Sequence, residues 1–282
     1  LNPMDLDLST DVGESPMLMQ ADFLLSQCEL MMASYGNPLM PIEKSLIDRC
    51  ISLVYRDYLK NPRPENMPIL GDLYQCLREQ HNSRADDLAT AMEIYVTGSL
   101  SYLNHRTNVD LNNRMVCYNI SKLGQGLKKL VMSNVQKHIW QRTAVNRYAG
   151  ITTRIFLDEF HLLLKEPQTA AYTAEIYKRF RKWNGIPTSL TQNVKDLLDS
   201  SEIENILENS DFVLMLNQGA SDRNILAQRL GISPQELSHV TNSSEGEGLL
   251  FFGDKIIPFE DKFPRDTQLY RVMTTKPSDL AA

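Results

Sequence analysis

The feature of this sequence that most constrains its fold is the segment RIFLDEFHLLL, residues 154–164. An apolar run at residues 155–157 is followed directly by two adjacent carboxylates, Asp158 and Glu159. A continuous run of this kind is typical of a strand that is covered on both faces in a parallel sheet. A strand that runs into a capped helix gives the same pattern, because Asp is also a common helix cap. The segment therefore predicts a buried strand with polar groups at its end and leaves their role open.

Two carboxylates at the end of such a strand have a defined use in nucleotide chemistry. Asp158 would hold a magnesium ion through its water shell, and Glu159 would polarise the water molecule that attacks the terminal phosphate. This interpretation points to an ATP hydrolase that uses ATP and Mg²⁺. Since capping explains the same residues, the remaining motifs have to decide between the two.

The spacing of apolar residues changes after about residue 110. From Met17 to about Leu103 apolar residues recur at helical spacing, and no strand pattern interrupts them. From Arg114 onward, short apolar runs alternate with amphipathic helices, which is typical of βαβ units and a largely parallel sheet. We predict strands at 115–120, 153–158, 188–191 and 212–216, helices near 126–148, 170–183 and 193–207, and a hairpin with arms 248–252 and 255–259.

Size and composition exclude several classes of protein. A chain of 282 residues allows one large α/β domain with an insertion, or two domains. A net charge of −6 argues against a surface that adheres generally to nucleic acid or anionic membrane. The four cysteines form no CxxC pair, so reduced thiols in the cytoplasm are expected rather than a zinc site or a disulfide framework. No apolar run is long enough to span a bilayer, so any membrane association would be peripheral.

A second predicted strand also ends in polar residues. The strand at 188–191 is followed by Gln192 and Asn193, at the edge where an open α/β sheet presents its ligand site. Gln192 would sense the γ-phosphate there, beside the strand that carries the two carboxylates. The alternative is that Thr191 and Asn193 cap the next helix. Because that role suits Asn193 better than Gln192, we favour phosphate sensing for Gln192.

The helix before that strand is basic on all but one face. Apolar and basic side chains interleave in it: Tyr177, Lys178, Arg179, Phe180, Arg181, Lys182 and Trp183. This pattern is usually a solvated helix face. The functional alternative is that Arg179 or Arg181 reaches a phosphate, either as an arginine finger on a neighbouring subunit's nucleotide or as a contact to nucleic acid.

Other motifs of hydrolase chemistry are incomplete or absent in the sequence. His161 follows the carboxylates without an HExxH spacing or a third ligand, so packing or capping is its expected role. The stretch LGQGLKK, residues 123–129, lacks the GxxxxGK[ST] spacing and is predicted to begin a helix. No phosphate-binding loop with its lysine occurs in the 282 residues. Because hydrolysis needs one, we expect that the sequence starts after this loop and that the fragment alone is inactive.

Four segments give the chain a specific resemblance to a known family. They are LNPMDLD (1–7), YVTGSLSYLNHRTNVD (95–110), FLDEFHLLLKEPQTAAYTAEIYKRFRKWNGIPTSLTQNVKDLL (156–198) and GEGLLFFGDKIIPFEDKFP (246–264). Over essentially its whole length the chain resembles the C-terminal ATPase domain of VirB-four-type proteins of conjugative type IV secretion systems. Proteins of Gram-positive conjugative elements are the most similar. The family belongs to the RecA-like motors related to FtsK and HerA.

The resemblance implies a fold and a set of site residues. The fold would be an α/β, RecA-like P-loop NTPase core with a mainly parallel sheet and a C-terminal β-hairpin. Residues 1–15 and 104–282 would form the core, and residues 16–103 an all-α insertion. Asp158 and Glu159 would be the Walker B pair, with Asp158 on the metal. Gln192 would be the motif glutamine, and residues 179–184 would be the arginine motif.

The resemblance also implies a cellular setting. ATP hydrolysis would drive pilus assembly or transfer of a DNA–protein substrate at the cytoplasmic face of the cell membrane. Partners would be the coupling ATPase, inner-membrane channel proteins and further copies of the chain in a homo-hexamer, while nucleic acid is left open. Two positions depart from the family pattern, since Asn119 and Lys137 stand where acidic residues are expected.

Two alternative functions differ in class. A DNA-pumping motor of the coupling type would carry basic pore loops and show DNA-stimulated hydrolysis, which the net charge disfavours. A non-catalytic scaffold would instead dock secretion partners through the helical insertion.

Overall fold

The structure is a computed structural model that describes residues 1–8, 15–33, 38–164, 167–192, 202–241 and 243–276. The chain divides into two compact units, Leu1–Thr153 and Arg154–Ala282.

The first unit is built from helices. In chain order they are α1 (Pro16–Ala33), α2 (Pro41–Val54), α3 (Arg56–Lys60), α4 (Leu70–Arg78), α5 (Ser83–Val96) and α6 (Gln125–Tyr148). Pro41 opens α2 at the position where a missing backbone N–H is not needed. At the start of α5 the side chain of Asn82 accepts the N–H of Arg84, 2.9 Å away. The helical character predicted for residues 17–103 is confirmed in the described part of that range.

One apolar core joins these helices to the amino-terminal segment. Its fully buried members include Leu24, Met31, Ile47, Ile51, Leu73 and Met92. Met4 is also fully buried, and its carbonyl oxygen accepts a hydrogen bond from the hydroxyl of Tyr55. The hydroxyl of Tyr58 donates to the carbonyl oxygen of Leu6 at 2.9 Å. The first six residues are therefore part of the helical unit.

The segment before α6 differs from the sequence prediction. Residues 115–120 form no strand, and the side chains of Met115 and Val116 are 83% and 41% exposed. A strand needs a neighbour to receive its backbone hydrogen bonds, and no described strand lies beside this segment. The prediction of a strand at 115–120 is wrong.

From Thr153 onward, strands alternate with helices. The elements are β1 (Thr153–Leu157), α7 (His161–Leu164), α8 (Pro167–Arg179), β2 (Gly185–Ser189), α9 (Glu202–Glu208), β3 (Phe212–Met215), α10 (Ala220–Leu230), α11 (Pro234–Leu237), β4 (Glu247–Phe252), β5 (Lys255–Glu260) and α12 (Gln268–Met273). Strands β1 and β2 form a parallel pair, and β3, β4 and β5 form an antiparallel sheet in that order. The predicted α/β class is confirmed.

Individual boundaries agree with the prediction to different degrees. Strand β2 begins three residues earlier than predicted, and β3 pairs antiparallel with β4 rather than joining a parallel sheet. The predicted hairpin is confirmed, with Phe252 opposite Lys255 and Gly253 in the left-handed region at φ 55°. Of the helix predicted at 193–207, residues 193–201 lie outside the described residues, and the remainder is α9.

Each sheet buries one face against helices. In β1 the side chain of Ile155 is 7% exposed and that of Phe156 is 68% exposed. On the same face of β1 as Ile155, Leu157 packs against side chains of α7, α8 and α9 and against Phe160. The continuous apolar run predicted a strand covered on both faces, but the exposure of Phe156 shows that the described residues cover only the face that carries Ile155.

The antiparallel sheet also buries one face and leaves the other exposed. Met215 and Leu249 are buried against α10 and the turn at Ser238–Val240, whereas Phe212 and Phe252 stack on the other face with ring centroids 4.8 Å apart.

Among the described helices, none combines the length and apolar character that a bilayer span requires.

Candidate functional site

The two carboxylates of the sequence motif lie in the turn that follows β1. Backbone hydrogen bonds fix this turn beside the end of β2, because Leu190 donates to the carbonyl of Leu157 and accepts from the N–H of Phe160, both at 2.9 Å. Phe160 is 2% exposed and anchors the turn in the apolar cluster below. The turn therefore places Asp158 and Glu159 at the carboxyl end of β1 and beside the carboxyl end of β2. Open α/β sheets bind ligands at this edge.

The turn holds Glu159 in an uncommon backbone conformation. Its φ is +48°, in the left-handed region that a non-glycine residue enters at a cost of roughly 1–3 kcal/mol. The N–H of Glu159 donates to Oδ1 of Asp158 at 3.0 Å, so part of the role of Asp158 is to satisfy the turn. The carboxylate of Asp158 is exposed and that of Glu159 is 46% exposed, which leaves both open to solvent.

The donor set fits a magnesium ion that is held mainly by water and phosphate. No group of three or more His, Cys, Asp or Glu side chains suited to a metal ion occurs among the described residues. Mg²⁺ commonly keeps several waters and binds one or two carboxylates together with substrate phosphates. The single exposed carboxylate of Asp158 suits that mode, so a nucleotide would have to supply the remaining ligands.

His161 makes contacts that the sequence did not predict. Its Nδ1 lies 3.0 Å from the hydroxyl oxygen of Thr191 and 3.4 Å from Oε2 of Glu159, and its side chain is 12% exposed. The sequence predicted packing or capping for His161. The only local signal was its spacing, two residues after Glu159, because the contact to Thr191 crosses thirty positions of the chain.

Gln192 lies at the same edge of the sheet as the carboxylates. It directly follows Thr191, two residues beyond the backbone bonds between Leu190 and the β1 turn, and it is exposed. The structure thus places the glutamine and the two carboxylates on neighbouring strand ends. The capping alternative concerns Asn193, which lies outside the described residues.

The arginines occupy the opposite end of β2. Arg179 is the last residue of α8 and Arg181 lies in the 3₁₀ turn Phe180–Trp183, and both side chains are exposed. Arg179 forms an ion pair with Glu175, one helical turn earlier. The five residues of β2 separate this turn from the Gln192 end by about 16 Å of extended strand. The structure therefore does not bring the arginines together with the carboxylates.

The arginine turn is held by a tight contact. Phe180 is fully buried, and its Cδ2 would lie 2.6 Å from a Cβ placed on Gly185. Asn184, between them, has φ +54°, which Asn tolerates better than most residues. A hydrogen bond of 2.6 Å from the Tyr177 hydroxyl to the Ser189 hydroxyl further joins α8 to β2, and burial raises the pKa of this tyrosine.

Asn119 and Lys137, the two residues that were expected to depart from the family pattern, both have local partners in the first unit. Asn119 Oδ1 accepts hydrogen bonds from the N–H and the hydroxyl of Ser121, at 3.1 and 2.7 Å, and so closes a turn. Lys137 Nζ donates to the carbonyl oxygens of Asp5, at 2.7 Å, and Pro3, at 3.2 Å. A lysine at this position therefore joins α6 to the amino-terminal segment.

Comparison with known proteins gives a family and a fold. The family described as "TraG P-loop domain" matches residues 70–246, which is more than half of the chain. The structure of VirB4 of Thermoanaerobacter pseudethanolicus is similar, with a TM-score of 0.75 and 21% sequence identity, and the match covers 94% of this chain and 74% of that one. No curated protein matches the chain. At this identity the likeness to VirB4 concerns the fold, and it confirms the predicted RecA-like class.

Proposed function

Because this chain belongs to the family of TraG P-loop domains, we propose that it is the hydrolytic part of an ATPase motor in a conjugative type IV secretion system. The observation that carries the proposal is the position of Asp158 and Glu159, at the end of β1 and beside the end of β2. The work of the motor is pilus assembly or transfer of a DNA–protein substrate.

Each residue of the site has one task in this proposal. Bound MgATP supplies the γ-phosphate and the ion that neutralises the charge developing on it. Asp158 orients that ion through its water shell. Glu159 accepts a hydrogen bond from the attacking water and aligns it with the phosphorus atom. Gln192, exposed at the adjoining strand end, donates its amide to the γ-phosphate.

The arginines complete the site of a neighbouring subunit. The length of β2 supports a role across the subunit boundary. About 16 Å of strand separates the arginine turn from the Gln192 end, and this distance exceeds the reach of an arginine side chain. An exposed ion pair such as Arg179–Glu175 is worth only about 0.3–0.5 kcal/mol, so Arg179 can leave it readily. Arg179 or Arg181 then contacts the nucleotide across the boundary in a ring, and a homo-hexamer is the proposed assembly.

The proposal requires a phosphate-binding loop, and no such motif occurs in the 282 residues. We expect a longer polypeptide that contains this chain to supply it, so hydrolysis is tested in that polypeptide. Its setting is the cytoplasmic face of the membrane, where it is peripheral and contacts the coupling ATPase and inner-membrane channel proteins.

The first test is Glu159→Gln in that longer polypeptide. ATP binding is expected to remain, because the amide keeps the shape of the side chain, while turnover falls by several orders of magnitude without the carboxylate. Nucleotide binding by fluorescence and steady-state phosphate release are the two measurements. Glu208 is an exposed residue of α9, away from the site. Glu208→Gln makes the same chemical change there and should retain full turnover. Unchanged turnover in Glu159→Gln would refute the role of this residue.

A DNA-pumping motor of the coupling type is the second candidate. The observation that favours it is the exposed basic cluster of Lys178, Arg181 and Lys182 beside the arginine turn. This candidate predicts that single- or double-stranded DNA stimulates ATP hydrolysis and that the stimulation falls steeply with salt. DNA-independent hydrolysis supports the assembly motor instead.

A further inference from the structure

The environment of His161 differs from that of an ordinary packed histidine. One ring nitrogen, Nδ1, lies 3.0 Å from Thr191 Oγ1 and 3.4 Å from Glu159 Oε2. The ring itself is largely buried, with 12% of its side chain exposed, whereas 46% of the Glu159 side chain is exposed. A largely buried ring nitrogen thus faces a more exposed carboxylate.

The frame around this donor is rigid. His161 follows Phe160, which is 2% exposed, and begins α7, which Leu164 anchors in the same cluster. Thr191 follows Leu190, whose N–H and carbonyl are both bonded to the β1 turn. His161 and Thr191 are therefore set by backbone bonds and burial, while the Glu159 side chain has several rotamers to choose among.

Hydrolysis needs one of those rotamers. A carboxylate that aligns a water molecule must be held close to its productive geometry, because a misplacement of about 1 Å can lower a rate by about 100-fold. Among the described residues, the imidazole of His161 is the side chain in contact with the Glu159 carboxylate.

We propose that His161 is a positioning residue that holds the Glu159 carboxylate and joins it, through Thr191, to the strand end that carries Gln192. The inference rests on the proposed hydrolytic function of Glu159. In the working state Nδ1 carries the ring proton and shares it between Glu159 Oε2 and Thr191 Oγ1, and both oxygens accept.

The sharing gives the site a regulatory link. One N–H cannot make two straight hydrogen bonds, so the position of Thr191 decides how firmly Glu159 is held. Thr191 is the immediate neighbour of Gln192. When Gln192 binds the γ-phosphate and shifts this strand end, the hold on the water-orienting carboxylate changes with it. Binding of the γ-phosphate is thereby coupled to how firmly the Glu159 carboxylate is held.

The test compares His161→Ala with His161→Asn in the longer polypeptide that contains the phosphate-binding loop. Asn places an amide nitrogen close to the position of Nδ1, whereas Ala removes the donor. We expect kcat to fall about 10- to 100-fold in His161→Ala, with KM for ATP within about twofold, because no nucleotide contact is lost. His161→Asn should recover most of kcat. A residue that only packs the core would not be rescued by a polar, smaller side chain.

A double-mutant cycle tests the link to Thr191. Thr191→Val keeps the shape of the side chain and removes the hydroxyl that orients the His161 ring, so the ring no longer faces Glu159 correctly and kcat should fall about 3- to 10-fold. The double variant of His161→Ala with Thr191→Val should be no slower than His161→Ala alone, because both changes break one connection. Thr241→Val is the matched control, since it makes the same change at a hydroxyl that donates to the carbonyl of Leu237, beside the antiparallel sheet, and its kcat should equal that of the unchanged protein.

The outcomes separate this inference from the proposed function. If Glu159→Gln is fully active, the proposed function fails. If Glu159→Gln is inactive while His161→Ala keeps its kcat, the function stands and the positioning role is wrong. The same conclusion follows if His161→Asn is as slow as His161→Ala. If His161→Ala does not fold, judged by circular dichroism and thermal melting, Thr191→Val and His161→Asn still decide. A Thr191→Val variant with unchanged kcat then overturns the link.

Discussion

At the scale of single residues, Lys137 carries an ammonium group that is largely removed from water in the first unit. Its ammonium group donates to two backbone carbonyls and lies 4.5 Å from the centre of the Phe23 ring. Removal from water lowers the pKa of Lys137 to about 7, and Asp5 only partly opposes the shift. The neighbouring His138 is also shifted, to a pKa of about 4, first by burial and second by the charge of Lys137.

The pKa of Lys137 predicts a pH-dependent stability. Between about pH 7 and the ordinary lysine value of 10.5, the unfolded chain keeps this proton and the folded chain has lost it. The unfolded state then binds more protons, so the contribution of Lys137 to the free energy of unfolding rises with pH. In urea titrations from pH 7 to pH 10, the unchanged protein should gain stability relative to Lys137→Met. Parallel pH curves for the two proteins would contradict the shift.

The positions of side chains at the candidate site could be predicted from sequence only where the signal is local. Asp158 and Glu159 are adjacent and follow an apolar run, so their position at a strand end was predictable. The contact between His161 and Thr191 was not, because the two residues are brought together only by the pairing of β1 with β2. The left-handed φ of Glu159 was equally hidden, since Glu carries no signal for that conformation.

At the scale of elements, the junction between α8 and β2 depends on a glycine. Gly185 is buried, and its φ is not in the left-handed region, so conformational freedom is not the reason for it. The reason is space, because a Cβ at this position would lie 2.6 Å from Cδ2 and 3.0 Å from Cγ of Phe180. The fully buried ring cannot move away without disturbing the core.

Gly185→Ala is therefore expected to destabilise the protein. Overpacking of this kind typically costs about 1–3 kcal/mol, and the displaced ring should also shift the neighbouring arginine turn. Chemical denaturation measures the loss of stability. Gly219→Ala is the control in the same unit, because nothing lies within 4 Å of a Cβ there and its expected cost is only that of an alanine at the N-cap of α10. Equal stabilities for the two variants would show that the Phe180 ring yields at no cost.

The elements differ in how well the sequence predicts them. Helices such as α2 and α5 were predictable because a 3.6-residue apolar period and a start signal, Pro41 for α2 and the cap Asn82 for α5, are both local. The strand predicted at 115–120 failed because a strand depends on a partner, and an apolar run does not reveal whether one is present. The antiparallel pairing of β3 was missed for the same reason, although the hairpin turn at Gly253 was predictable.

At the scale of the whole molecule, the parallel pair β1–β2 has a carboxylate end and an arginine end. The carboxylates and Gln192 lie where the strands finish, and the arginine turn lies where β2 begins. A subunit arranged head to tail with its copies would present the arginine end of one to the carboxylate end of the next, which is a heterologous contact of the kind that can close into a ring.

This arrangement predicts that two inactive variants restore activity to each other. One is the double variant Arg179→Ala with Arg181→Ala, and the other is Glu159→Gln, each in the longer polypeptide with its phosphate-binding loop. Each alone lacks one part of every site. In an equal mixture about a quarter of the subunit boundaries pair an intact Glu159 with intact arginines, so phosphate release should reach about that share of the normal rate. Differently tagged subunits confirm that mixed oligomers form. If mixed oligomers form and stay inactive, the arginines act within their own subunit or not on the nucleotide at all.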